Sequence, residues 1–367
     1  MEQQKITLFT THVAWWNKKK QPETTQLRGL FADNPSIMKK VHLTTIAFGL
    51  FGAAILLWLV MRRDIGEVLT VFSLVGLNIL WLGVYRIFPI ALDAAGWGRL
   101  FSAGLCPRST DLFLARWIAE SVNTLFPVAQ IGGHILRARI IGRKYGSGNE
   151  AGATVMVDFT IGLTTQIFFT LTGLVLLLLQ TNKYQGTSSI IIGIGVAIVV
   201  IGGFFYSQKA GLFEFLAART NILYRKKAAA IKAGARTMDR KINEIYGRRK
   251  KLFACLCLRF IAWMAKSGEN WLFFFFAGAP ITIQDAVILE SLCTAFRSAA
   301  FFIPGGLGVQ DGSLLVIGSL LGLGTDAMMA LALGKRFREL MVGLPGLVWW
   351  FVHEGRYHGQ SISNQGK

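Results

Sequence analysis

Long apolar runs alternate with shorter basic stretches along this chain. A helix needs about 20 mostly apolar residues to cross a bilayer. Residues 41–60, 68–92, 152–180, 188–206, 252–278 and 326–352 meet that requirement and predict six spans. Two further regions, 110–142 and 284–324, are as apolar but interrupted. The first contains "NTLFPVAQIGGHILR", with Pro127, Gly132 and Gly133. The second contains "FFIPGGLGVQDG", with Pro304, Gly305, Gly306 and Gly308, followed by an acid, Asp311. Broken helix at membrane depth must be buried in protein or line a wet cavity, because unpaired backbone groups in hydrocarbon are costly. The pattern predicts an all-α integral membrane protein with about six spanning helices. It adds two Pro/Gly-broken re-entrant helical hairpins. A plain turn between two full helices fits the same residues.

Charge supplies the orientation. The chain is 53% hydrophobic and 16% charged, yet its net charge is +19. Few charges with a strong positive excess fit apolar spans joined by basic loops. The largest loop, 207–251, carries Arg225, Lys226, Lys227, Arg248, Arg249, Lys250 and Lys251 among its cations, against only Glu214, Asp239 and Glu244. The N-terminal segment 1–40 and "RARIIGRK" at 137–144 are basic too. Cytoplasmic loops carry such excess. All of these fall on one side if each broken region returns to the side it left, and both termini are then cytoplasmic. The units 68–180 and 252–352 would enter their breaks from opposite sides, an inverted repeat of the kind transporters use. Residues 353–367 form a polar tail. The basic loop is expected to face the anionic inner leaflet rather than nucleic acid. Residues 1–40 are polar and basic without an early apolar core, so no cleavable signal is expected there.

The chemistry-bearing residues are those a membrane should exclude. Lys335, Arg336, Arg338 and Glu339 lie near the centre of the last span. Each ionised group there costs about 2.5–3.5 kcal/mol on insertion scales. One glutamate cannot neutralise three cations, so Glu290, Asp311 or a substrate anion must contribute. Arg116, Glu120 and Asn123 share one helical face, as do Glu290 and Arg297. Asp158, Lys266 and Glu269 stand alone in apolar surroundings. Buried ion pairs fixing helix register would explain any one of them; a hydrated, charge-lined cavity explains the set more simply. Half-helices beginning near Gly133 and Gly308 would turn positive ends toward such a cavity. His134, beside the first glycine pair, could touch a substrate. Cys106, Cys255, Cys257 and Cys293 have no metal-ligand spacing, and no metal or other cofactor is expected. No phosphate-binding loop and no nucleophile paired with a base is present.

"FFIPGGLGVQDGSLL", "NTLFPVAQIGGHILR" and "GKRFREL" together resemble the transmembrane region of the lysylphosphatidylglycerol synthase family, over roughly 41–352. The family usually has Glu where Asp311 stands. The resemblance implies a bacterial inner-membrane flippase-type module, closest to a branch associated with hopanoid lipids. After residue 352 only the tail follows, so an aminoacyl-transferring enzyme is not expected. The reading is a transporter of a polar-headed lipid, phospholipid or hopanoid-type. Arg297, Arg336, Arg338, Gly133, His134, Gly305, Gly306 and Gly308 would bind substrate. Glu120, Asn123, Glu290, Asp311 and Glu339 would pair charges or couple protons. Pro127, Gly132 and Pro304 would break the helices. A membrane-embedded enzyme, or a scaffold recruiting lipid-synthesis enzymes, remains as the alternative. Lipids are the expected partners, and the oligomeric state stays open.

Overall fold

A computed structural model describes residues 73, 75–125, 132–181, 228–299 and 308–363, with 181, 228–235 and 353–363 described by backbone alone. All belong to one unit, Thr45–Lys367. The expected spans at 41–60 and 188–206, the N-terminal segment, and Pro127, Pro304, Gly305 and Gly306 lie outside the described residues.

After a 3-10 turn at Gly76–Asn78, the described regular structure is helical. The helices are α1 (Ile79–Gly98), α2 (Ser109–Leu125), α3 (Gly132–Tyr145), α4 (Gly148–Thr181), α5 (Ala228–Gly247), α6 (Arg249–Phe276), α7 (Ile283–Ala299), α8 (Val309–Leu320) and α9 (Thr325–Ser363). The segments Gly76–Gly98 and Gly148–Gln180 are long and apolar enough to cross a membrane. α6 and α9 have the length, but carry charges in their middles. The expected polar tail after 352 continues α9 as helix to Ser363.

Local chemistry accounts for the helix boundaries. Thr282 and Asp285 form a reciprocal cap ahead of α7: Asp285 N–H donates to Thr282 Oγ1 at 3.1 Å, and Thr282 N–H donates to Asp285 Oδ2 at 3.1 Å. Asp111 lies in the first turn of α2, where the helix dipole favours an acid. The threonines of α4 return their hydroxyls to carbonyls four residues earlier, Thr164 to Thr160 and Thr165 to Ile161, both at 2.9 Å. Hydroxyls satisfied in this way do not oppose burial in an apolar span.

α1 and α6 are the central antiparallel pair. Tyr85 Oη donates to the Ala265 carbonyl at 2.8 Å, while Gly96, farther along α1, lies against Cys255 and Leu258, farther back on α6. Around this pair, α2 packs on α9 and α4 on α7; α3 lies between α2 and α4, and α8 between α7 and α9. α1 also packs on α2 and α9, and α6 on α7 and α4. These pairings map onto one another when α1, α2, α3 and α4 are exchanged for α6, α7, α8 and α9. The close approaches follow the same rule. A side chain at Gly346 of α9 would collide with Ser121 of α2, and one at Gly173 of α4 with Ser291 of α7. Small residues let helix backbones approach closely where there is no water to drive association.

Two apolar cores flank the pair. One joins Ile79, Leu82, Phe273, Leu289, Leu314 and Leu331. The other joins Trp97, Leu112, Ile141, Val155, Ile242 and Cys255. Between them, the middle of α1 and α6 is polar and buried. The outward faces are apolar: Trp81, Phe88, Phe168, Ile261, Phe275 and Val348 are all exposed. Charge inside and hydrocarbon outside is the distribution that a lipid environment demands.

Candidate functional site

The polar centre consists of two groups of ion pairs. The first gathers on Asp93 of α1 and Asp158 of α4, both buried. Arg259 of α6 donates from Nη1 to Asp93 Oδ1 at 2.8 Å, and Lys266 and Arg116 reach Asp93 Oδ2 at 3.2 Å each. Arg116 of α2 also donates to Asp158 Oδ2 at 3.1 Å, Arg137 of α3 lies 2.6 Å from the same oxygen, and Arg259 Nε lies 3.4 Å from Asp158 Oδ1. Arg137 stacks over the Trp97 ring at 4.8 Å and Lys266 over Trp263 at 3.9 Å.

The second group spans both halves. Arg86 of α1 donates to Glu120 of α2 at 2.9 and 2.6 Å, and lies 3.5 Å from Glu269 of α6. Arg338 of α9 donates to Glu269 at 2.7 Å. Lys335 donates to Glu290 of α7 at 2.6 Å, and Asn270 of α6 touches the same carboxylate at 3.3 Å. Arg336 bridges Glu339 at 2.7 Å and Asp311 of α8 at 2.9 Å. Arg297 of α7 donates to Gln310 at 3.1 Å and to Glu339 at 3.4 Å. Removing one member of such a pair leaves a buried charge without compensation, at a cost of about 3–5 kcal/mol.

The structure brings Glu120, Glu290, Arg297, Asp311, Arg336, Arg338 and Glu339 into this second group. Asn123 sits apart and holds the first helix end: Gly133 N–H donates to Asn123 Oδ1 at 2.8 Å. A Cβ at Gly133 would collide with the Ala119 carbonyl, so only glycine lets α3 start this close to α2. At the second helix end, Gly308 has φ +76°, in the left-handed region, and its N–H donates to Asp311 Oδ2 at 2.9 Å. Asp311 therefore caps the same half-helix whose positive end the sequence directs toward a ligand. His134 belongs to the first group, its Nδ1 lying 3.0 Å from Arg137 Nη2 and its ring edge-on to Phe159. Gly132 opens α3.

Arg86, Asp93, Arg137 and Arg259 are central here and were not singled out in the sequence. Their signal was spacing: Arg86 and Asp93 are seven apart, as are Arg259 and Lys266, so each pair lies on one face of its helix. At the opposite end of α3, Lys144 and Tyr145 bind Asp111, each at 2.7 Å. Desolvation and the hydrogen bond to Asp111 push the Tyr145 phenol above its usual value. Lys241 of α5 pairs with Glu150 at 3.1 Å, which fixes α5 against α4. Among the described residues, no His, Cys, Asp and Glu cluster has the makings of a metal site.

Apolar outer faces around a buried belt of ion pairs define an all-helical membrane protein. The family model for the lysylphosphatidylglycerol synthase TM region matches residues 45–346, and the chain belongs to that family. No curated protein and no solved structure matches the chain.

Proposed function

We propose that this protein is a transporter that moves a polar-headed lipid, phospholipid or hopanoid-type, across the bacterial inner membrane. The observation that carries the reading is the exchange symmetry of the helix pairings about α1 and α6, with the charged belt at their middle. Two structurally equivalent halves enclosing a polar centre are the architecture in which one half rocks against the other around a fixed site. In this reading the halves are inverted repeats, the broken regions are re-entrant hairpins, and both termini are cytoplasmic. Membership of a family named for lipid synthesis supports a lipid as cargo.

The headgroup would travel through the belt while the tail stays in lipid. Arg297, Arg336 and Arg338, now engaged by Glu339, Asp311 and Glu269, would exchange those carboxylates for the headgroup as the halves move. The protein acts in this scheme without chemical conversion. Every buried carboxylate named above has a cation beside it, which suits charge pairing better than acid–base catalysis.

The test is reconstitution into liposomes with fluorescent lipids in one leaflet and a membrane-impermeant quencher outside. Translocation faster than in protein-free vesicles is expected for at least one polar-headed lipid. Unchanged rates across phospholipid and hopanoid probes would remove the proposal, and a modified lipid recovered from detergent solution would replace it with an enzyme.

A further inference from the structure

Formal charge in the belt does not sum to zero. The second group is balanced, with five cations and five carboxylates in the contacts given above. The first group is not: Arg116, Arg137, Arg259 and Lys266 share only Asp93 and Asp158, a surplus of two positive charges among the described residues. Moving Glu120 from one group to the other shifts a charge between them and leaves the total unchanged.

His134 does not add to the count. A guanidinium can only donate, so the contact from Arg137 Nη2 requires His134 Nδ1 to be an unprotonated acceptor. The ring is then neutral, with its proton on Nε2. The Trp97 and Trp263 faces soften the fields of Arg137 and Lys266 but neutralise neither. Arg137 is 0% exposed, and among the described residues its Nε has no acceptor. It stands one turn into α3, a 14-residue helix whose N-terminus is itself favourable to anions. At the edge of the group Arg116 retains 13% side-chain exposure and His134 is partly exposed.

Two uncompensated cations are not held out of water without a counter-charge. We infer that the first group is a binding station for a dianionic phosphate, contacted by Arg116 and His134 Nε2–H, with the buried Arg137 supplying positive charge behind them. A phosphomonoester approaches two negative charges at neutral pH. A phosphodiester headgroup carries one and a zwitterionic headgroup none, so neither balances the site. The inference rests on the transport reading only in taking a lipid as the source of the phosphate.

The experiment uses the full-length protein in nanodiscs of phosphatidylcholine and follows thermal unfolding while ligand is added. Phosphatidic acid should raise the midpoint at concentrations roughly tenfold lower than phosphatidylglycerol requires. Inorganic phosphate acting as strongly as phosphatidic acid would keep the station and assign it to a free anion instead of a lipid. Arg137→Gln should lose the preference between the two lipids. Should that variant not fold, His134→Glu decides: supplying a carboxylate should raise the midpoint without ligand and reduce the response to phosphatidic acid. Equal action of phosphatidic acid and phosphatidylglycerol on the unaltered protein, or an undiminished response in His134→Glu, overturns the inference. No translocation is measured, so failure of transport in vesicles and failure of this station are separate results.

Discussion

Arg338 shows how single side chains work in this protein. Its only carboxylate contact among the described residues is Glu269, buried on α6, so truncation strands that carboxylate beside Arg86 alone. Arg338→Ala is expected to lower unfolding stability by about 3–5 kcal/mol. The double variant Arg338→Met with Glu269→Met should recover most of the loss, since two apolar groups leave nothing unpaired. Thermal unfolding of the single and double variants in detergent measures both. Gly308→Ala tests the backbone instead: its φ of +76° would cost an L-residue about 1–2 kcal/mol, seen in the same assay. The charges of the last span were legible in the sequence, because four ionised residues in an apolar run admit no other reading than burial with partners. Asp93 and Arg86 were not. Asp93 falls just past the end of an apolar window, and a lone arginine in a span looks like one that reaches the headgroups. Only the packing of α1 on α6 makes them central.

Elements were easier to foresee than their contacts. The 3.6-residue periodicity and the positions of glycine and proline placed α2 and α3 on either side of one interrupted region, and α7 and α8 on either side of the other. What the sequence hid was the use made of the helix ends. Asn123 and Asp311 satisfy the first N–H groups from within the protein, and nothing in their spacing distinguishes a cap from a substrate contact. Gly133→Ala is the matching test for α3. The added methyl must push α3 away from the Ala119 carbonyl, and the Asn123 bond goes with it. Faster amide exchange in the first turn of α3, with α7 and α8 unchanged, is the expected outcome in hydrogen-exchange mass spectrometry. At the start of α7, Thr282→Ala removes one side of the reciprocal cap and should cost about 0.5–2 kcal/mol in unfolding experiments.

For the whole molecule, the contacts that matter are those joining the two halves. Ser121 with Gly346, and Ser291 with Gly173, bring Cβ positions to 3.1 and 2.8 Å. Disulfide-bonded Cβ atoms average about 3.8 Å, so slight parting of the helices would admit a bridge. With Cys106, Cys255, Cys257 and Cys293 replaced, the pair Ser121→Cys and Gly346→Cys should stop lipid translocation when oxidised and release it on reduction. The pair Ser291→Cys and Gly173→Cys should do the same. Transport continuing through both bridges would mean that the halves do not move against one another.

The cross-helix character of the belt also bears on how the chain reaches the bilayer. α9 carries Lys335, Arg336, Arg338 and Glu339, whose partners come from α6, α7, α8 and from one another. Entering lipid alone, it would be rejected. It must be received by the helices that precede it in the chain, which hold Glu269, Glu290 and Asp311 ready for its cations. Biogenesis of the C-terminal half is therefore a joint insertion of α6 through α9, and a ribosome-bound chain that ends before Lys335 should hold α6 through α8 unreleased.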